Sequence, residues 1–240
     1  MLLRQISGWI LLWLNVLPGV ALAQTNQCRL PARLDVPDIR QPDKEPSRTV
    51  PVAGYTLALS WSPQFCRSHP DDGQCDPANG RFGFILHGLW PEGAGSNYPQ
   101  WCVASPAPIP DAVARMQFCT QPSTKLMAHE WAKHGTCATR DPADYFAASR
   151  KLFASVRFPD MVALSRRPID VGGFKRLMSA ANPRLMPSAI TVSTDRNGDW
   201  LREVRICLTR AMRPEPCPRG RGRGGGAPDG APLRIWRGER

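Results

Sequence analysis

The chain has 240 residues, eight of them cysteine, is 42% hydrophobic, and carries a formal charge of +11. Its apolar content is too high for a disordered chain, and its length suits one large domain better than two. The positive balance favours polyanionic partners such as RNA, DNA, anionic membranes or cell-wall polymers.

Arg4, an apolar run from Ile6 to Val20 and then Ala21-Leu22-Ala23 have the order of a secretory signal peptide, with cleavage expected after Ala23. The run is short for a membrane span, and no other stretch approaches ~20 apolar residues. All eight cysteines follow this site. An exported chain meets an oxidising compartment, so four disulfides are expected. Short spacing suggests Cys66–Cys75 and Cys207–Cys217 and leaves the other four open. Residues 24–52, rich in proline, read as an extended arm.

Tyr55–Ser62 (YTLALSWS) alternates and predicts a strand, and Arg81–Leu86 (RFGFIL) predicts a buried strand ending at His87. Residues 92–110 read as loop. Helices are expected over 111–118, 124–134, 142–156 and 173–181, with Asp111, Ser123 and Asp141 as N-caps, Pro142 in a first turn, and Gly135 ending the second helix. Strands over Ser188–Asp195 and Trp200–Thr209 are joined by a turn through Asn197-Gly198. The Gly/Arg-rich segment 219–230 reads as a loop, and Leu233–Trp236 as a closing strand. Strands at both ends with helices between them argue α+β, not alternating βαβ units.

Residues 129–137, HEWAKHGTC, raise the chemical question. A zinc-binding pair of helical histidines is spaced by four. His129 and His134 are spaced by five and diverge by about 140° on a regular helix. Helical spacing instead pairs Glu130 with His134 and His129 with Lys133. Only two other histidines exist. His87 stands at a strand end, and His69 reads as exposed and inert. Two imidazoles can run an in-line phosphoryl transfer, one accepting a proton while the other donates. RNA carries its own nucleophile, the 2′-hydroxyl. A lysine and a further histidine can stabilise the phosphate, and a glutamate can orient an imidazole.

GFILHGLWPE (83–92) and HEWAKHGTC (129–137) together resemble the two active-site segments of the ribonuclease T2 family, and YTLALSWSPQFC before them also fits. The resemblance implies an α+β fold, a central antiparallel β-sheet packed with several α-helices and stapled by disulfides, over residues 53–240. It implies a secreted or periplasmic endoribonuclease that cleaves single-stranded RNA through a 2′,3′-cyclic phosphate, without metal or cofactor. By the same resemblance His87 is the acid, His134 the base and Glu130 a catalytic group. His129 and Lys133 bind phosphate, and Trp90 and Tyr98 bind bases. Glu92 departs from the family's usual aspartate. Cys102–Cys137 follows from the resemblance, and Cys28–Cys119 remains for the last pair. A monomer, free of the membrane after cleavage, is expected. Two competing functions are a non-catalytic binder of RNA or other polyanions and a secreted zinc peptidase, the latter opposed by the histidine spacing.

Overall fold

A computed structural model describes residues 27–195, 198–218 and 225–238. The expected signal peptide, Asn197 and the Arg/Gly run 219–224 lie outside the described residues.

The centre is a four-stranded antiparallel sheet in the order β2-β1-β5-β4. Its strands are β1 (Gly54–Trp61), β2 (Phe84–Glu92), β4 (Ile190–Thr194) and β5 (Leu201–Thr209). On β1, Tyr55, Leu57, Leu59 and Trp61 enter the core. The intervening Thr56, Ala58 and Ser60 face the other way, as the strand period of two requires. Besides the short α1 (Ser62–Cys66) and α6 (Met161–Leu164), the helices opposing the core side are α2 (Asp111–Phe118), α3 (Thr124–Glu130), α5 (Pro142–Ser155) and α7 (Val171–Ala181). They contribute Phe118, Met127, Tyr145, Phe146, Phe174 and Met178 to the same cluster. Each large apolar side chain buried there contributes roughly 1.5–3 kcal/mol.

Local signals explain most boundaries. Ser123 accepts from Leu126 N–H and opens α3, and Asp141 and Asp170 cap α5 and α7 in the same way. Asp111 was expected as a cap but lies in the first turn of α2, with Pro110 at the cap position. Its charge still suits the positive end of the helix. The predicted closing strand shrinks to β6 (Pro232–Leu233), which pairs with β3 (Ile169–Asp170) in a separate two-stranded sheet. Four disulfides join Cys28–Cys119, Cys66–Cys75, Cys102–Cys137 and Cys207–Cys217.

The proline-rich arm has little regular structure of its own. Cys28 ties its start to the end of α2, and Arg48 exchanges backbone hydrogen bonds with Gln100. The arm is thereby laid against the loop that follows β2.

Candidate active site

His87 was expected at a strand end but lies inside β2. Leu86 pairs with Leu59 and Gly88 with Ala58, so His87 is one residue too many and bulges out of register. Such a bulge re-aims a side chain. The sheet edge is closed around it. Gln121 Nε2 donates to the His87 carbonyl at 2.7 Å, and Leu86 N–H donates to Thr120 O. Tyr145 Oη accepts from Leu89 N–H and donates to Leu89 O.

The His87 imidazole sits between two carboxylates. Nδ1 is 2.6 Å from Glu203 Oε2, and Nε2 is 3.5 Å from Glu130 Oε1. Glu203 comes from β5 and is buried, and its other oxygen accepts from Arg205 Nε at 2.6 Å. Burial opposes a charge on the His87 ring. The Glu203 hydrogen bond and the charges of Glu203 and Glu130 outweigh burial and the repulsion of Arg205, so the His87 pKa is raised. Burial also opposes ionisation of Glu203, but His87 and Arg205 pull its pKa down to about 2.

Glu130 ends α3, fully buried, and its Oε2 accepts from Trp90 Nε1 at 2.7 Å. Gly88 makes room for this: a Cβ there would lie 1.9 Å from Glu130 Oε2 and 2.7 Å from Trp90 Nε1. Glu130 thus faces His87, a partner that the helical-spacing argument did not foresee.

That argument assumed a regular helix, and the structure corrects it. Residues Trp131–Gly135 form a π-helical turn, and α4 (Thr136–Ala138) continues the chain. A wider turn brings residues five apart toward one side. The rings of His129 and His134 lie 6.5 Å apart, and His134 packs on Trp90 at 5.7 Å. The spacing objection to joint ligation by the two histidines therefore loses its force. Among the described residues no three His, Cys, Asp or Glu side chains are grouped to hold a metal ion. Nor does Gly135 end the helix. A Cβ there would lie 2.3 Å from the Trp131 ring, so glycine permits the close packing of the turn.

Lys133 meets the arm rather than the helix face. Its Nζ is 2.5 Å from Glu45 Oε2, which also accepts from Trp101 Nε1 at 2.8 Å. The hydrogen bond from Lys133 lowers the Glu45 pKa against the effect of partial burial, and Trp101 and the charges of Lys133 and His129 add to the lowering. Trp101 holds a left-handed backbone (φ 53°) while its N–H donates to the Lys133 carbonyl. Its ring meets His129 edge-on at 5.7 Å.

Of the residues expected to bind bases, Trp90 is 4% exposed and packed by His87, His134 and Arg205. Tyr98 is half-buried, with the Arg48 guanidinium 4.2 Å over its ring. Glu92 is buried and accepts from Thr56 Oγ1. His69, expected to be inert, stacks on Phe65 at 4.2 Å. Both line a cleft of about 470 Å³ that also contains His87, His129, Glu203, Arg205, Arg202, Lys125 and, from the arm, Ile39.

Sequence reasoning missed Glu203, Arg205 and Glu45. A signal existed for the first two: charges at alternate positions of a strand that is otherwise apolar, WLREVRICLT, point to one face. Glu45 had none, because an arm without periodicity gives no hint of where it docks.

The Ribonuclease T2 family pattern matches residues 53–217. A Haemophilus influenzae protein named "Probable ribonuclease" is 36% identical over 180 residues, 70% of this chain and 61% of that one. An Aeromonas hydrophila "Ribonuclease" is 32% identical over 163 residues, 65% and 71% of the two chains. The chain thus spans less than two thirds of the first relative's length. Among solved structures, RNase NT in complex with 5′-AMP shares the fold with a TM-score of 0.60 at 16% identity, covering 77% of this chain and 98% of that one.

Proposed function

The chain belongs to the ribonuclease T2 family, and from that premise we propose that it is an exported, metal-independent endoribonuclease acting on single-stranded RNA. The reading is carried by one observation: His87 lies between Glu203 at 2.6 Å and Glu130 at 3.5 Å, with its pKa raised. A histidine kept charged by its neighbours is suited to donate a proton.

His134 takes the proton of the 2′-hydroxyl. The 2′-oxygen attacks the phosphorus, a 2′,3′-cyclic phosphate forms, and the bond to the 5′-oxygen breaks. His87 protonates that oxygen through Nε2, since Nδ1 is engaged by Glu203. Water then opens the cyclic ester with the two roles exchanged, leaving a 3′-phosphate. His129 and Lys133 stabilise the charge on the non-bridging oxygens. Glu130 braces His87 and fixes Trp90. The nucleophile belongs to the substrate, so the step calls for no metal-bound water. The four disulfides and the leader-like residues 1–23 support export to the periplasm or beyond, and the chain acts as a monomer.

The test is single-stranded RNA incubated in excess chelator, with product ends identified by mass spectrometry. We expect 2′,3′-cyclic phosphates followed by 3′-phosphates. Chelator-sensitive cleavage would overturn metal independence, and intact RNA would favour the non-catalytic binder.

A further inference from the structure

A second cleft, of about 590 Å³, opens where β3 and β6 meet the entry to β5. Among the described residues, four arginines line it, Arg166, Arg167, Arg234 and Arg237, together with Trp200 and Trp236, and no acidic side chain does. The arginines are exposed. Arg166, Arg167 and Arg237 form no ion pair among the described residues, and Arg234 has only Asp199, at 3.9 Å. Converging like charges are unfavourable in the free protein, so this cleft suits an anionic ligand.

The aromatic pair narrows the class of anion. Trp200 and Trp236 meet edge-on at 5.7 Å. Arg234 lies 3.9 Å over the Trp200 ring, and Arg67 lies over both indoles at 5.4 and 4.6 Å. A guanidinium stacked on an indole keeps its edge donors for phosphate, and its planar face can take a base. Arginines interleaved with aromatic rings suit a flexible strand of alternating phosphates and bases. A free phosphate would use only the charges.

Two short segments link the clefts. Phe65 and His69 line the catalytic cleft, and Arg67 between them leans onto the tryptophans. Arg202 lines the catalytic cleft two residues after Trp200 lines the other. A strand leaving His87 past Arg202 and Arg67 therefore reaches the second cleft. We propose that this cleft is a distal subsite for single-stranded RNA, holding nucleotides of the substrate remote from the scissile bond. The proposal rests on the ribonuclease reading for its substrate.

The test uses the full chain with Arg166→Gln, Arg167→Gln and Arg237→Gln combined, and separately Trp200→Leu. Two readouts are taken: kcat/KM on a 20-mer RNA against a dinucleotide, and binding of an uncleavable 2′-O-methyl 20-mer over a range of salt. The triple variant should lose roughly tenfold or more in kcat/KM on the 20-mer through KM, and nothing on the dinucleotide. Its log–log salt slope should fall by about 0.7 for each phosphate contact removed. Trp200→Leu should weaken the 20-mer with an unchanged slope. If both variants keep wild-type binding and wild-type 20-mer kinetics, the subsite is overturned. The binding readout does not depend on cleavage: an inactive wild type whose variants still lose binding would leave the subsite standing while the ribonuclease reading fails. Equal losses on dinucleotide and 20-mer would mean that the substitutions act on the fold or the catalytic cleft, which also overturns it.

Discussion

His87 and Lys133 are both held by a glutamate, but in different settings. Glu203 is 5% exposed and belongs to a central strand, braced by Arg205, while Glu45 is 39% exposed and belongs to an extended arm. Glu203 has lost most of its water, so its charge depends on His87 and Arg205, whereas His87, with 31% of its side chain exposed, keeps Glu130 when Glu203 is removed. The pair of Lys133 and Glu45 is partly screened by water, where such pairs contribute up to about 1 kcal/mol. Burial thus decides how strongly a carboxylate controls its cation, although the contact distances are alike. Glu203 on the sheet raises the His87 pKa, and Glu45 on the arm positions Lys133.

The largest effects are expected on the sheet side, at the two histidines. His87→Ala and His134→Ala should each lower kcat on RNA by roughly 10²–10⁴, the usual share of one general acid or base, with circular dichroism unchanged. Next, Glu203→Gln should cost roughly 10- to 100-fold, as when the partner that orients a functional histidine is lost. Its signature is in the pH profile. Glu203 raises the His87 pKa, and the acid must be protonated, so the alkaline limb should move to lower pH in the variant. An unmoved limb with lower activity would reduce Glu203 to a packing role.

The same pair gives a stability window. Glu203 titrates at about 2 in the fold against 4.5 unfolded, so its contribution is present above about 4.5 and is lost as pH falls toward about 2. His87 has its pKa raised above 6.5, so its contribution is full below 6.5 and lost as pH rises through the folded value. The Tm difference between wild type and Glu203→Gln should therefore be largest between about pH 4.5 and 6.5 and shrink on both sides, as calorimetry would measure.

The arm side should respond more weakly. Removing the Cys102–Cys137 bridge with paired alanines should cost ~2–5 kcal/mol in chemical denaturation. It also frees the segment that locks Trp101 onto Lys133, so activity should fall below that of other variants equally destabilised. Smallest is Glu45→Gln, at about threefold or less in kcat/KM, with the difference vanishing at ~1 M salt, where exposed pairs are screened. A tenfold effect that survives salt would mean that the arm pair is as influential as the sheet pair.

How much was legible in the sequence follows the same division. β1 and β5 announced themselves through period and α5 through its cap, α7 was expected two residues short of its start without its Asp170 cap, and HGLWPE and HEWAKHGTC marked the residues that gather around Trp90. The bulge at His87 was not legible, because it depends on the count of residues in the neighbouring strand. The π turn was not either: a regular helix is the default for any periodic run, and the extra residue in the turn shows only in how His134 packs. The alternating charges of β5 mark the face of Glu203, but not its partner, which is 116 residues away.

In the proposed mechanism the substrate's own 2′-hydroxyl is the nucleophile, and His134 and His87 move the protons. A DNA oligonucleotide carrying a single ribonucleotide, incubated in excess chelator and read by mass spectrometry, tests this directly. One cut is expected, on the 3′ side of the ribonucleotide, with a 2′,3′-cyclic phosphate on the upstream fragment and no cut by His87→Ala or His134→Ala on the same timescale. Cleavage at deoxy positions, or at the ribonucleotide with no cyclic phosphate at any time, would contradict it.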